Sequence, residues 1–313
     1  MVSQKCCERE SNRVNQLQKY FDPETLARIR PLGLRARTLV EGVMAGLHRS
    51  PLRGHSIEFA QHREYVPGDD LRQVDWKVYA RSDRYYLKQY EDETNLIAYL
   101  LLDTSESMQY RAANSPLTKL EYAQLVVFSL AYLVITQQDS AGLATFAAEL
   151  NGWLPPSGSA SYLDDMIRMM EAAPTDQRTD LPKIVELVAQ RCSKPGVIVL
   201  VSDLLDDQQR LLTALKRLRY QRHDVIVVHV LDESELTFPF DRSTRFEGLE
   251  GLPELVTDPL LIGGAYRRAM AAFCTEIEVG CQQLGVDYHR MKTNESLAAT
   301  LPPLLARRLA QRS

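Results

Sequence analysis

The chain has 313 residues, of which 45% are hydrophobic and 25% charged, and its formal net charge is -4 at pH 7. This length allows one large α/β domain with an appendage or two modest domains, each able to bury a core. The acidic balance gives no basic footprint for nucleic acid and no polybasic patch for a membrane surface, so we expect no nucleic-acid partner. The five cysteines show no C-x-x-C spacing. We therefore expect neither a disulfide framework nor a zinc site, and a reducing cytoplasm fits best.

The N-terminal part of the chain carries little recognisable chemistry. Asp22 followed by a proline predicts a short helix over residues 22–29, and residues 35–47 are rich in helix formers. Charged residues near the N-terminus exclude a secretory signal. The longest apolar run, residues 125–135, is interrupted by Ser129 and is too short for a bilayer, so we expect no integral membrane segment.

Arginines and carboxylates alternate through residues 56–93. The charged side chains concerned are Arg63, Arg72, Arg81, Asp69, Asp70 and Asp75. One interpretation is a network of arginine–carboxylate pairs that holds an irregular lobe around Trp76. The other is a recognition surface for a partner. We favour the network, because opposite charges close together in sequence usually satisfy one another.

Residues 96–102 form a short, almost continuous apolar run, which is typical of a strand buried on both faces of a parallel sheet. The run leads directly into Asp103-Thr104-Ser105-Glu106-Ser107, a D-x-S-x-S spacing. Open α/β sheets bind their ligands at the carboxyl ends of their strands, and oxygen donors of this kind suit a hard cation such as Mg²⁺. The structural alternative is that Asp103 or Ser105 only caps the following helix.

Strands and helices alternate through the remainder of the chain. Strands are predicted over residues 140–147, 196–201, 224–230 and 286–290, with 151–154 as a hairpin partner, and helices over residues 120–137, 162–171, 181–191, 208–220, 259–284 and 295–308. This order predicts an α/β fold with a doubly wound, mostly parallel sheet. We expect an N-terminal helical and irregular or β lobe over residues 1–94, then a main domain over residues 95–313 with an insert near 236–258.

A second carboxylate follows the second buried strand, where residues 196–201 lead into Ser202-Asp203. Because the carboxyl ends of parallel strands share one edge of a sheet, Asp203 and Asp103 are predicted to contribute to one site.

From about residue 96 onward the chain resembles the von Willebrand factor A domain. That family carries a metal-ion-dependent adhesion site, in which D-x-S-x-S, a threonine from a second loop and an aspartate from a third surround one divalent ion. The resemblance implies that Mg²⁺ or Mn²⁺ is bound by Asp103, Ser105, Ser107, Thr179 and Asp203. Thr175 competes with Thr179, which is preferred because Thr-Asp-Leu leads directly into a helix. Family members usually have Thr-Asp-Gly in the third loop, where this chain has Ser202-Asp203-Leu204.

A longer motif looks like a narrower bacterial group, the family called domain of unknown function 58, whose members often sit beside MoxR-type AAA+ ATPases. The motif consists of Glu58-Phe59, Arg63-Glu64-Tyr65, Pro67-Gly68-Asp69-Asp70, Arg72, Asp75-Trp76 and Ala80-Arg81, followed by the Asp103 motif. This resemblance runs from about residue 54 to the C-terminus. Many relatives look membrane-tethered through N-terminal spans, and their absence from this sequence favours a soluble, cytoplasmic version.

Two functions compete on this sequence. The first is a non-enzymatic, metal-dependent interaction module that works with a MoxR-type AAA+ ATPase in the assembly or maturation of client proteins, its metal accepting a carboxylate from a partner. The second is a metal-dependent hydrolase that uses Asp103 as a nucleophile. A phosphoaspartyl enzyme would require a second acid where Ser105 stands, so the interaction module is preferred.

Overall fold

The computed structural model describes residues 57–64, 75–76, 78–79, 85–92, 96–113, 115–175, 179–240, 244–246, 255–297, 299–301 and 304, and the structural statements below concern these residues. The chain divides into two compact units, one over residues 43–95 and the other formed by residues 1–42 together with 96–313. The helices predicted within residues 22–47 lie outside the described residues, as do Arg72 and Arg81 of the charged motif.

The unit before Leu96 contains an antiparallel pair of strands, β1 (Ile57–Glu64) and β2 (Tyr86–Asp92). Asp75 is buried beside this pair: its backbone N–H donates to the carbonyl of Tyr86 at 2.8 Å. Trp76 differs from its predicted place at the centre of the lobe, because 57% of its surface is exposed. The arginine–carboxylate network of this segment stays a prediction.

The unit that includes residues 96–313 is built on a six-stranded sheet with the order β10-β7-β6-β3-β4-β5. Its strands are β3 (Ile97–Asp103), β4 (Ser140–Phe146), β5 (Leu150–Ser157), β6 (Val197–Ser202), β7 (Asp224–Leu231) and β10 (Asp287–Lys292). All neighbouring pairs are parallel except β4 with β5, which is antiparallel. The predicted fold class, α/β with a doubly wound and mostly parallel sheet, is confirmed.

Helices cover both faces of this sheet. In chain order they are α1 (Lys119–Thr136), α2 (Tyr162–Ala172), α3 (Leu181–Arg191), α4 (Gln208–Tyr220), α5 (Glu233–Thr237) and α6 (Pro259–Gln283). One face of the sheet forms a core with α3, α4 and α6, into which Leu101 of β3 and Leu200 of β6 point. Side chains alternate along a strand, so the equally buried Leu100 and Leu102 face the opposite layer, where α1 packs. This double coverage explains why the central strands read as continuous apolar runs.

Helix α1 is apolar on nearly every side. By length and composition alone it is the one helix among the described residues that could cross a membrane, yet 67% of its apolar window is buried inside the fold. It packs against β3, β4, β6 and β7. Its composition is therefore that of a central core helix.

Several short elements differ from the expected pattern. The loop predicted from residue 155 belongs to β5, which runs through Pro155 and Pro156 to Ser157; an edge strand tolerates prolines because one side of it needs no partner. Helix α5 was not anticipated. The insert contains the small antiparallel pair β8 (Thr244–Phe246) and β9 (Leu255–Thr257). Of the predicted closing helix, residues 295–297, 299–301 and 304 are described; 295 and 296 are not helical, and the others are.

The approach of β6 to β3 leads to a test of the packing. A Cβ atom on Gly196 would overlap the carbonyl oxygen of Ile97 and lie 3.2 Å from the ring of Tyr99. We expect Gly196→Ala to lower the free energy of unfolding by about 1–3 kcal/mol, measured in urea, because backbone in a sheet cannot yield. Gly264→Ala in α6 is the control: its Cβ would meet only Arg268 Nη1 at 3.7 Å. An equal loss of unfolding free energy in both variants would contradict the close contact between position 196 and the backbone of Ile97.

Candidate functional site

The sheet brings the predicted oxygen donors together at the carboxyl ends of its central strands. Asp103 is the last residue of β3, Asp203 follows β6, and Thr179 lies in the loop just before α3. Asp103, Ser105 and Asp203 are almost completely buried, and Thr179 is partly exposed. We call the side chains of Asp103, Ser105, Ser107 and Thr179 the oxygen cluster.

Asp103 is the centre of the oxygen cluster. Its Oδ1 accepts hydrogen bonds from the backbone N–H of Ser105 at 2.9 Å and from the hydroxyl of Thr179 at 3.2 Å. Its Oδ2 accepts from the hydroxyl of Ser202 at 2.6 Å. The structure thus brings Thr179, the preferred of the two candidate threonines, to Asp103.

The two serines complete the oxygen cluster. Ser105 and Ser107 place their hydroxyl oxygens 3.1 Å apart, and the Ser107 hydroxyl also reaches Asp203. Ser105 precedes a single 3₁₀ turn over Glu106–Gln109, but its side chain makes no capping hydrogen bond there. The capping alternative for Ser105 therefore does not explain why its hydroxyl points toward Ser107.

The loop after β6 takes the backbone conformation that glycine would favour. Leu204 has a φ of 57°, in the left-handed region. Its N–H donates to the Ser202 hydroxyl at 2.9 Å, and its side chain is buried in the core beneath. A non-glycine residue in this region costs on the order of 1 kcal/mol, which the burial of a leucine side chain offsets. The buried side chain of Leu204 thereby anchors the loop that carries Asp203 to the core.

A buried lysine, which the sequence patterns did not single out, lies beside Asp203. Lys119 is the first residue of α1 and is 0% exposed. Its Nζ donates to Asp203 Oδ2 at 2.8 Å and to Glu235 Oε1 at 2.7 Å. A cation at the N-terminus of a helix opposes the helix dipole, and a buried ammonium requires compensating charge. A lysine directly after a threonine cap was the only sequence signal that could have pointed to it.

Helix ends hold Lys119 and Glu235 in place. Thr118 caps α1 in a capping box with Glu121, and Asp232 caps α5 in a capping box with Glu235 itself. Asp232 is buried and accepts from the hydroxyls of Ser115 at 2.5 Å and Thr293 at 2.9 Å. The ends of β7 and β10 are tied in this way to the segment before α1.

The charges of the site act on one another. Burial, together with the neighbouring charge of Asp203, raises the pKa of Asp103 from 3.8 to about 7. Burial alone would raise the pKa of Asp203 as well, but the ammonium of Lys119 holds it below its usual value. Burial would lower the pKa of Lys119, but its two carboxylate partners raise it. Lys119 and Asp203 therefore form a charged pair, while no lysine or arginine among the described residues pairs with Asp103.

The spacing of the oxygen cluster fits a small hard cation. Neighbouring ligands on an octahedral Mg²⁺ lie about 2.9 Å apart. The separations between Ser105 and Ser107 and between Thr179 and Asp103, 3.1 and 3.2 Å, are close to that value. Within the part of the chain that the structure describes, no group of three or more His, Cys, Asp or Glu side chains could hold a metal ion. Any ion bound here would thus depend on hydroxyl oxygens.

A family model described as "Protein of unknown function DUF58" matches residues 61–258. An uncharacterized protein of Mycobacterium tuberculosis is 26% identical over 294 residues, which are 92% of this chain and 90% of that protein. A crystal structure of the conserved hypothetical protein BatB from Bacteroides thetaiotaomicron has a TM-score of 0.47 and 18% identity, covering 70% of this chain and 98% of that one. The SpRpn10 VWA domain has a TM-score of 0.40 and 12% identity, covering 67% of this chain and 95% of that one.

The burial of Asp103 leads to a pH test. Its carboxyl titrates at about 7 in the fold and near 3.8 in the unfolded chain, so between these values only the folded protein holds the proton. Stability that this group contributes is present at low pH and is lost as pH rises toward 7. In EDTA at pH 8, we expect the free energy of unfolding of Asp103→Asn to exceed that of wild type by on the order of 3 kcal/mol. The unfolding free energies of the two proteins should converge below pH 4, because a free carboxyl has a pKa of about 4 and is protonated there in the unfolded chain as well.

The control for the change in net charge is Glu276→Gln, which removes an exposed carboxyl from α6. Parallel curves of unfolding free energy against pH for wild type and Asp103→Asn would contradict the assignment of a neutralised buried carboxyl at position 103.

Proposed function

The chain belongs to the DUF58 family, as its motif predicts, and we propose that it is a protein-interaction module that binds its partner through one divalent cation. The cation, Mg²⁺ or Mn²⁺, would be held by Asp103 and by the hydroxyls of Ser105, Ser107 and Thr179, with Asp203 nearby. When bound, it supplies a Lewis-acidic position that can accept an oxygen ligand from another protein.

The observation that carries this proposal is the convergence of the oxygen cluster from separate loops. Asp103 and Thr179 are 76 residues apart in the chain, yet their oxygens lie 3.2 Å from each other. The donors are hard oxygen atoms, and a single carboxylate among them leaves half of a divalent charge uncompensated. A ligand set of this kind favours a further anionic ligand over water.

The surroundings of the oxygen cluster support a macromolecular ligand. Thr179 is partly exposed, whereas Asp103 and Ser105 are buried, so an incoming group would approach from the side of Thr179. Leu205, two residues after Asp203, is 41% exposed and offers an apolar contact beside the site. We propose a carboxylate side chain of a MoxR-type AAA+ ATPase or of a client protein as the incoming ligand, in the cytoplasm, during assembly or maturation of the client.

The hydrolase alternative fits this geometry less well. A nucleophilic Asp103 would have to reach a substrate atom, but its side chain is completely buried. Both of its oxygens already accept hydrogen bonds, from Ser105, Thr179 and Ser202. We therefore favour a role for Asp103 in holding a cation over a role as a nucleophile.

Capture of the ATPase tests the proposal. We expect the wild-type chain to bind an immobilised MoxR-type ATPase in Mg²⁺ and to lose at least about 1.4 kcal/mol of binding free energy, a tenfold change, in EDTA. Asp103→Ala should lose the same association in Mg²⁺ while remaining folded by circular dichroism. Asp258→Asn is the matched control, because Asp258 caps α6 and asparagine caps a helix equally well.

Turnover assays on the isolated wild-type chain separate the two functions. The proposal expects no hydrolysis of phosphoester, peptide or nucleotide substrates. Mg²⁺-dependent hydrolysis that disappears in Asp103→Ala would contradict the interaction module and favour the hydrolase. Association with the ATPase that is equal in Mg²⁺ and EDTA would also contradict it.

A further inference from the structure

Lys119 forms an ion pair with Asp203, the second carboxylate that a metal at the oxygen cluster could use as a ligand. We propose that Lys119 holds Asp203 as its own counter-ion, so that this chain supplies one carboxylate, Asp103, to the cation, and the partner's carboxylate supplies the second. This inference rests on the proposed function and adds a regulatory feature to it: full cation affinity requires the partner.

The contacts of the ammonium are the first reason. Lys119 Nζ lies 2.8 Å from Asp203 Oδ2 and 2.7 Å from Glu235 Oε1, with the side chains of Lys119 and Asp203 only 1% and 2% exposed. An ammonium group has three N–H donors, and two of them are used by these carboxylates. A divalent cation bound directly to Asp203 would lie close to this buried positive charge, where little solvent screens the repulsion.

The second reason is the cost of moving the ammonium of Lys119 away from its two carboxylate partners. Its backbone begins α1, fixed by the Thr118 capping box and by a hydrogen bond from its own N–H to the carbonyl of Tyr110 at 3.1 Å. Withdrawal of the ammonium would leave Asp203 and Glu235 as unpaired carboxylates in a buried site, which is strongly unfavourable. The pair is therefore expected to persist when a cation binds.

The ion pair between Lys119 and Asp203 determines the net charge of a cation bound at the oxygen cluster. With Asp203 neutralised by Lys119, the oxygen cluster contributes one negative charge through Asp103, so a bound divalent ion keeps a net charge of about +1. An incoming carboxylate would neutralise that charge. Cation binding and carboxylate binding then strengthen each other reciprocally, as linkage requires. The chemistry of the partner that fits is an exposed aspartate or glutamate side chain.

Two double variants test the role of Lys119 without changing the net charge of the site. Lys119→Met with Glu235→Gln leaves Asp203 as the only carboxylate of the former trio, whereas Lys119→Met with Asp203→Asn leaves only Glu235. We expect the first variant to bind Mn²⁺ about tenfold more tightly than wild type by calorimetry, because Asp203 becomes a ligand. The second should bind Mn²⁺ as wild type does, since wild type makes no direct use of Asp203.

Equal Mn²⁺ affinity of the first variant and wild type would overturn the inference, as would a tenfold loss in the second variant. A purely structural Lys119 would change the melting temperature of both variants without separating their Mn²⁺ affinities. If wild type and both variants all fail to bind Mn²⁺, the proposed function falls and the inference falls with it.

A measurement on wild type alone covers the case in which the variants do not fold. Acetate serves as the probe for the partner's carboxylate. We expect Mn²⁺ to bind the wild-type chain about fivefold more tightly in sodium acetate than in sodium chloride of the same concentration. Identical Mn²⁺ affinity in the two salts, with binding itself present, would overturn the inference while the proposed cation site remains.

Discussion

The buried contact between the ammonium of Lys119 and the carboxylate of Asp203 is the interaction on which the rest of the site depends. Asp203 could not stay ionised at the end of β6 without a compensating positive charge, and Lys119 could not be buried at the start of α1 without Asp203 and Glu235. Removing one member of such a pair typically costs about 3–5 kcal/mol. The pair also joins α1 to the ends of β6 and β7, because Glu235 belongs to α5 directly after β7.

The sheet makes this concentration of polar groups possible. Strands β3, β6 and β7 are parallel neighbours, so their carboxyl ends open onto the same edge. Apolar side chains bury these strands on both faces, and their polar successors are then placed in a dry environment. Asp103 and Asp203 are almost fully buried for this reason, and short-range hydrogen bonds and ion pairs gain strength there.

The local patterns of the sequence were sufficient for the framework. The apolar runs before Asp103 and Asp203 predicted β3 and β6, because a strand that is buried on both faces has a continuous apolar sequence. Helices α3 and α4 lie at residues 181–191 and 208–220, as the alternation of strands and helices predicted. Asp103, Ser105 and Ser107 followed from the D-x-S-x-S spacing at the end of a buried strand, whereas Thr179 was implied only by the resemblance to the von Willebrand factor A domain.

The sequence did not predict the charges that surround the oxygen cluster. Lys119 and Asp203 are 84 residues apart, and no local period connects a helix N-terminus with a loop on another strand. Helix α5, which carries Glu235, was not predicted, because five residues are too few to show a helical period. The alternating charges predicted a lobe arranged around Trp76, but the exposure of Trp76 depends on tertiary packing that the local sequence does not determine.

The most direct measurement of the central claim is the anomalous scattering of Mn²⁺ in crystals of the chain grown in sodium acetate. The account predicts one manganese peak bonded to oxygens of Asp103, Ser105 and Ser107 or Thr179, with acetate as a further ligand. Asp203 should remain hydrogen-bonded to Lys119, at a distance close to the 2.8 Å of the present structure. A manganese ion bonded directly to Asp203 with Lys119 displaced, or no manganese at the oxygen cluster, would contradict the account.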